Sequence, residues 1–212
     1  YTQPNASFTS DTTSGCFPAG IQFMNQTDPN LNAGSSWSFG DGDFSNDISP
    51  YHVYENPGYY TVSLNVVSPD GCYEDTVITN YIQSNGYPIA SFEYSPGHPT
   101  MLNSEVSFIN LSWNNTENYW EFFEGDPSIG TSIEESPSFY FPDNTPGIYP
   151  VYLQVTNIFD CVHDTVVYIE IFEDFLIYLP NSFTPDGDGY NDYFGPTGTD
   201  LNPNDYSMQI YD

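Results

Sequence analysis

The chain has 212 residues, no Lys or Arg, and 29 Asp plus Glu, for a formal net charge of −29. Nothing in it can neutralise phosphates, which excludes nucleic acid as a partner, and an anionic membrane surface is excluded on the same ground. Self-repulsion has to be relieved by spacing the carboxylates, by salt or by bound cations. Aromatic residues make up 18% of the sequence, enough to build a folded core despite the charge. No run approaches 18 uninterrupted apolar residues, so no direct membrane insertion by a helix is expected. The absence of an initiator Met or signal peptide reads as an internal or mature fragment.

In chain order, Ala6 and Phe8 predict a first strand, and Ile21 and Phe23 a second. A polar loop, Asp28 to Gly34, leads to Trp37-Ser38-Phe39-Gly40-Asp41-Gly42. Trp37 and Phe39, two apart, share one face of an extended chain. Gly40 and Gly42 bracket Asp41 as a tight turn requires. After a second turn at Pro57-Gly58, Tyr60, Val62, Leu64 and Val66 alternate with Thr61, Ser63 and Asn65. A Trp strand and a Tyr opening a later alternating strand suit a two-sheet sandwich with a tyrosine corner. Thr76 to Ile82 closes this module, which is assigned to residues 1–84, and Gln83 to Gly86 is a short linker.

The pattern then recurs in degraded form over 87–172. Ala90, Phe92, Val106 and Phe108 stand for the first strands, Trp120 to Gly125 for the turn, and Tyr149, Val151, Leu153 and Val155 for the alternating strand. Asp70-Gly71-Cys72 to Val77 reappears as Phe159-Asp160-Cys161 to Val166, a shift of 89 residues from Cys72 to Cys161. The expected fold class is all-β: tandem immunoglobulin-like β-sandwiches, with the beginning of a third at 174–212. Trp37 and Trp120 should both be buried. Seven strands per module would put the two ends of each at opposite poles, stacking the modules into a stalk.

An enzyme fits poorly. With this many carboxylates, a close pair says nothing about glycosidase chemistry. His52, His98 and His163 lie in different segments without metal-ligand spacing. There is no nucleophile, phosphate loop or cofactor fingerprint. His52 reads as a strand residue packing beside the Trp37 turn, and Asp41 and Asp43 as turn formers. The candidate metal ligands are Asp186, Asp188, Asn191 and Asp192, in a glycine-punctuated loop of the kind that wraps calcium with oxygens. An Asx-rich turn held by its own side chains is the alternative. Calcium is the one cofactor considered.

The first module resembles the PKD domain, an immunoglobulin-like unit of cell-surface and secreted proteins. The motif residues are Trp37 to Gly42, then His52 and Tyr54, then Gly58, Tyr60, Val62 and Leu64. The second copy departs from the motif, with Phe123-Glu124-Gly125-Asp126 at the turn and Phe139 near the expected His. The resemblance implies a disulfide between Cys16 and Cys72, worth about 4 kcal/mol in the chain-entropy model. Cys161 is then left free as a small buried apolar residue.

Residues 174–212 carry Asn181-Ser182-Phe183-Thr184-Pro185-Asp186-Gly187-Asp188-Gly189-Tyr190-Asn191-Asp192-Tyr193-Phe194, then Ile210-Tyr211-Asp212. This resembles the opening of the gliding-motility-associated C-terminal domain, the type B sorting domain of the type IX secretion system in Bacteroidota. The family's further residues would follow Asp212. The resemblance implies export through the type IX translocon, a PorP/SprF-like outer-membrane barrel protein as partner, and attachment at the outer membrane of a Gram-negative cell. Asp11-Thr12-Thr13 resembles the short O-glycosylation signal of the same bacteria, with Thr12 the accessible acceptor. The expected function is a non-catalytic stalk and export region of a cell-surface adhesin, in a gliding-motility context, beside neighbouring domains of the same adhesin. The alternatives are the accessory tail of a secreted hydrolase and a carbohydrate-binding module.

Overall fold

Period-two alternation of apolar residues sets nearly every element of the structure, a computed structural model. It describes residues 2–174, Gly187, and the pairing of Ile177–Tyr178 with Thr197–Gly198. Eight strands precede residue 86: β1 (Phe8–Ser10), β2 (Ser14–Cys16), β3 (Ala19–Asn25), β4 (Gly34–Ser38), β5 (Phe44–Ser45), β6 (Tyr51–Tyr54), β7 (Gly58–Val67) and β8 (Tyr73–Asn85). They form two sheets, β1-β3-β6 and β2-β8-β7-β4-β5. The inward positions of both meet in one core around Trp37, with Phe8, Ile21, Phe23, Phe39, Tyr54, Val62, Leu64 and Ile82. Trp37 is wholly buried and still satisfied, because its indole N–H donates to the Asp47 carbonyl at 3.0 Å.

The second sandwich repeats this with β9 (Phe92–Ser95), β10 (Glu105–Asn110), β11 (Glu117–Phe123), β12 (Ser128–Ser132), β13 (Ser138–Tyr140), β14 (Gly147–Thr156) and β15 (Val162–Ile171). Its sheets are β9-β10-β13 and β12-β11-β14-β15. Trp120 is buried in a separate core and donates to the Glu134 carbonyl at 2.9 Å. Both copies have the tyrosine corner. The Tyr60 hydroxyl donates to the Asn56 carbonyl at 2.9 Å, and the Tyr149 hydroxyl to the Thr145 carbonyl at 2.7 Å. The chain is all-β, as its periodicity requires. Among the described residues the helical content is a single 3₁₀ turn at Pro29–Leu31.

The disulfide differs from expectation. Cys16 is bonded to Cys161, not to Cys72, and Cys72 is the free cysteine. The reason is the length of β8. Short β2 runs parallel to β8 and places Cys16 opposite Asn85, at the strand's last residue, while Cys72 immediately precedes its first. Thirteen residues at ~3.3 Å each separate the two ends by roughly 40 Å. A disulfide needs Cα atoms within about 7 Å. Cys161, immediately before β15 in the second sandwich, meets that condition at 5.7 Å from Cys16.

Candidate functional site: the seam between the sandwiches and the acidic turn

Two places concentrate unusual side chains, and the first is the seam. Here the exit of β8 meets the β14–β15 hairpin, and the Cys16–Cys161 bridge crosses from one sandwich to the other. Cys161 is fully buried. The hairpin is organised by Asn157, also buried, whose Oδ1 accepts from the backbone N–H groups of Phe159 and Cys161. Its Nδ2 donates to the Gly86 carbonyl at 2.8 Å, so one side chain shapes the hairpin and ties it to the linker. Phe17 follows the bridge; its N–H donates to the Asn85 carbonyl, and its ring meets Tyr87 edge-on at 5.3 Å. A disulfide, a hydrogen bond from the Asn157 side-chain amide to the linker and an aromatic contact thus fix the seam.

Beside it opens a cleft of about 610 Å³, walled by Phe17, Pro57, Tyr87, Ile89, Trp113 and His163. Trp113 is 67% exposed. His163 accepts the Ala90 N–H at its Nδ1, which leaves its Nε2 as the ring donor. Cys161 beside it is bonded to Cys16, so no cysteine–histidine nucleophile exists here.

The second place is the turn after β4. Gly40 has φ +89°, and a Cβ there would lie 2.5 Å from the Thr61 carbonyl oxygen and 2.9 Å from its nitrogen. The turn can lie against β7 at its register shift between Tyr60 and Val62 because this residue has no side chain. Asp41 Oδ1 accepts the Asp43 N–H, the turn-forming role expected of it. Asp41 Oδ2 accepts from His52 Nε2 at 2.6 Å, the one acid–imidazole contact among the described residues. The His52 ring stacks on Phe39 with centroids 4.0 Å apart and planes within 3°. Asp41, Asp43 and His52 each present one ligand atom, all within 4.8 Å, which is a cation-sized arrangement. Below it the Tyr54 hydroxyl donates to the Phe39 carbonyl. Burial, then the charges of Asp41 and Tyr60, hold that phenol well above its usual value of 10.0.

In the second sandwich, Phe139 takes the place of His52 and stacks on Phe122 at 4.0 Å and 8°. A Cβ at Gly130 would run into the Phe139 ring. The stacking survives the loss of the histidine, while the acid–imidazole pair does not.

The expected calcium ligands Asp186, Asp188, Asn191 and Asp192 lie outside the described residues. Thr12 is exposed, but its Oγ1 already donates to the Ser14 carbonyl. The seam went unseen in the sequence because it depends on which strand neighbours β8. Its one signal was Cys161, which has a counterpart in the first copy and no partner within its own.

Residues 1–83 match the PKD domain family, and they form a PKD/immunoglobulin-like domain. Among solved structures, the chain is similar to the PKD1 domain of Vibrio anguillarum Epp, at 27% identity and a TM-score of 0.35 over 40% of this chain and 98% of that one. It is also similar to the PKD1 domain of the Vibrio cholerae metalloprotease PrtV, at 24% identity and a TM-score of 0.34 over 39% and 100%. Fibronectin(III)-like modules of Clostridium thermocellum CbhA align over 79% of this chain and 95% of theirs, at 12% identity and a TM-score of 0.39.

Proposed function

We propose that this region is a non-catalytic stalk of an exported surface adhesin, built from modules at 1–84 and 87–172 and followed from residue 174 by a type IX sorting segment. The Cys16–Cys161 bridge carries the reading, because it joins the two sandwiches to each other and closes no loop within either one. A bond so placed controls the angle and distance between modules, which is what a spacer needs. The PKD-like domain and the disulfide fit a secreted or extracellular location, where such bonds persist. No helix among the described residues is long and apolar enough to cross a membrane.

Support for the export step comes from the Asn181-to-Phe194 motif. Its partners would be the type IX translocon and a PorP/SprF-like barrel, with Phe183, Tyr193 and Phe194 as aromatic anchors, or as core of the segment's own domain. Calcium is the cofactor proposed for that segment, with Asp186, Asp188, Asn191 and Asp192 as its ligands. The stalk is tested by small-angle scattering before and after reduction. The maximum dimension should be well defined when oxidised and broaden when reduced, with β content unchanged; identical profiles would refute a spacer role for the bridge. Export is tested by fusing the segment from residue 174 to the natural C-terminus of the protein to a soluble reporter in a Bacteroidota host. Surface delivery should require the translocon and the barrel protein, and secretion without either would refute it.

The cleft favours a second reading, a carbohydrate-binding module, because exposed Trp113 beside Tyr87 could stack on a sugar ring. Glycan-array binding that Trp113→Ala abolishes would support it.

A further inference from the structure

Cys72 and Cys161 stand at one position of two equivalent hairpins. In the first, the Ser68 N–H donates to the Cys72 carbonyl and the Gly71 N–H to the Ser68 carbonyl. In the second, the Asn157 N–H donates to the Cys161 carbonyl and the Asp160 N–H to the Asn157 carbonyl. The Cys72 N–H is capped by Ser68 Oγ, and the Cys161 N–H by Asn157 Oδ1. Gly71 and Asp160 share positive φ, at 81° and 60°. Cys161 is bonded to a cysteine of the sandwich before it; Cys72 is free and only half-buried.

The chain also reaches both sandwiches in one way. Pro4-Asn5-Ala6-Ser7-Phe8 is matched by Pro88-Ile89-Ala90-Ser91-Phe92, with both prolines and both alanines buried. Just before Pro88, Gly86 bonds Asn157 of the second hairpin. Just before Pro4, the Thr2 N–H donates to Asp70 and the Gln3 amide to Glu74, on and beside the first hairpin. In this register Tyr1 takes the place of Asn85, the residue that β2 sets opposite Cys16. A sandwich whose last strand ran into Tyr1 would therefore bring its own β2 cysteine to Cys72.

We propose that Cys72 is the receiving half of a second inter-module disulfide, made with the Cys16-equivalent of a preceding sandwich of this type. Successive modules are then stapled hairpin to β2 along the stalk. Forming the bond removes two protons and two electrons from the thiol pair. They pass to the disulfide of a thiol–disulfide exchange catalyst, which leaves as its dithiol. The proposal rests on the stalk reading for the existence of such a module. The scattering test of that reading uses the Cys16–Cys161 bridge alone, so the two can fail separately.

The test adds a second copy of residues 1–84 directly before Tyr1 of the whole chain, produced in an oxidising compartment. Thiols are then counted under denaturing, non-reducing conditions. The unextended chain should show one reactive thiol, Cys72. The extended chain should also show one, that of the added copy, with Cys72 linked to the added Cys16 in non-reduced peptide maps. Cys16→Ser in the added copy alone should raise the count to two. A count of three with the Cys16–Cys161 bridge intact overturns the proposal. If the extended chain fails to form even that bridge, peptide mapping of the protein from its natural source decides. A Cys72 peptide linked to a cysteine upstream of Tyr1 supports the proposal; an alkylated Cys72, or Cys72 joined to Cys72 of a second chain, overturns it.

Discussion

Cys16 and Cys161 are 145 residues apart in sequence and covalently joined, one from each sandwich. For a chain that unfolded all at once, the chain-entropy model would credit such a loop with about 5 kcal/mol. Two separate cores make a different outcome expected. Reduction, or Cys161→Ser, should leave both sandwiches folded and loosen the seam first. Limited proteolysis should then cut between 84 and 89 several times faster than in the oxidised protein, with the far-ultraviolet spectrum unchanged. Unfolding of either sandwich on reduction would contradict this.

Asn157→Ser separates the two roles of that side chain, since Ser68 already caps the equivalent hairpin with a hydroxyl. Serine should keep the cap on the hairpin but cannot reach Gly86. The expected cost is about 1 kcal/mol for the lost hydrogen bond. Faster amide exchange should appear at the linker and not in β14 or β15. Exchange accelerated evenly through the second sandwich would show that the residue only stabilises its own hairpin.

Gly40→Ala and Gly42→Ala discriminate between close packing and mere turn geometry. Both residues have positive φ, +89° and +107°, but only a Cβ at Gly40 meets backbone, at Thr61. Gly42→Ala should cost about 1 kcal/mol from conformation alone. Gly40→Ala should cost about 3 kcal/mol or more, because β7 has to move. Equal denaturation midpoints for the two would refute the contact.

Tyr54 and Tyr149 make the protein sensitive to alkali. Burial raises both phenols above 10.0, with Asp41 and Tyr60 adding to the effect at Tyr54. At Tyr149 Glu124 adds to it, and the hydrogen bond to Thr145 opposes it. A raised acid keeps its proton in the folded state after the unfolded chain has lost it. Its stabilising contribution is therefore complete below pH 10 and declines as pH rises beyond that. Unfolding midpoints should fall above pH 10, and Tyr54→Phe should flatten that fall while costing about 1 kcal/mol at neutral pH through the lost bond to Phe39. An unchanged alkaline slope in Tyr54→Phe would rule the residue out as a cause.

Strand positions and core residues could be read from the sequence because alternation and a buried Trp are local signals. The Trp37 and Trp120 strands, the tyrosine corners and the Gly40 turn all follow from residues a few positions apart. Phe139 could likewise be placed near the lost histidine by spacing, though not its stacking on Phe122. The disulfide could not be read. It depends on β2 crossing to lie parallel to β8, a pairing that the three residues Ser14-Gly15-Cys16 do not announce. The seam inherits that blindness, since Asn157 and Phe17 matter only once the two sandwiches are side by side.

His52 is the position where one copy can be rewritten as the other. In the first sandwich its imidazole stacks on Phe39 and pairs with Asp41; in the second, Phe139 makes the same stack on Phe122 and pairs with nothing charged. If stacking is what the fold needs, His52→Phe should shift stability by less than about 1 kcal/mol, as a volume-conserving exchange of one ring for another. His52→Ala, which removes the ring from a site only 9% exposed, should cost about 3 kcal/mol. Asp41→Asn should then matter in the native protein and be nearly silent in the His52→Phe background, because only the native protein has the Asp41–His52 hydrogen bond to weaken. The measurement is a double-mutant cycle in urea at neutral pH, read by Trp fluorescence. A large loss in His52→Phe, with the coupling to Asp41 accounting for it, would show that the Asp41–His52 hydrogen bond rather than the stacked ring holds this turn.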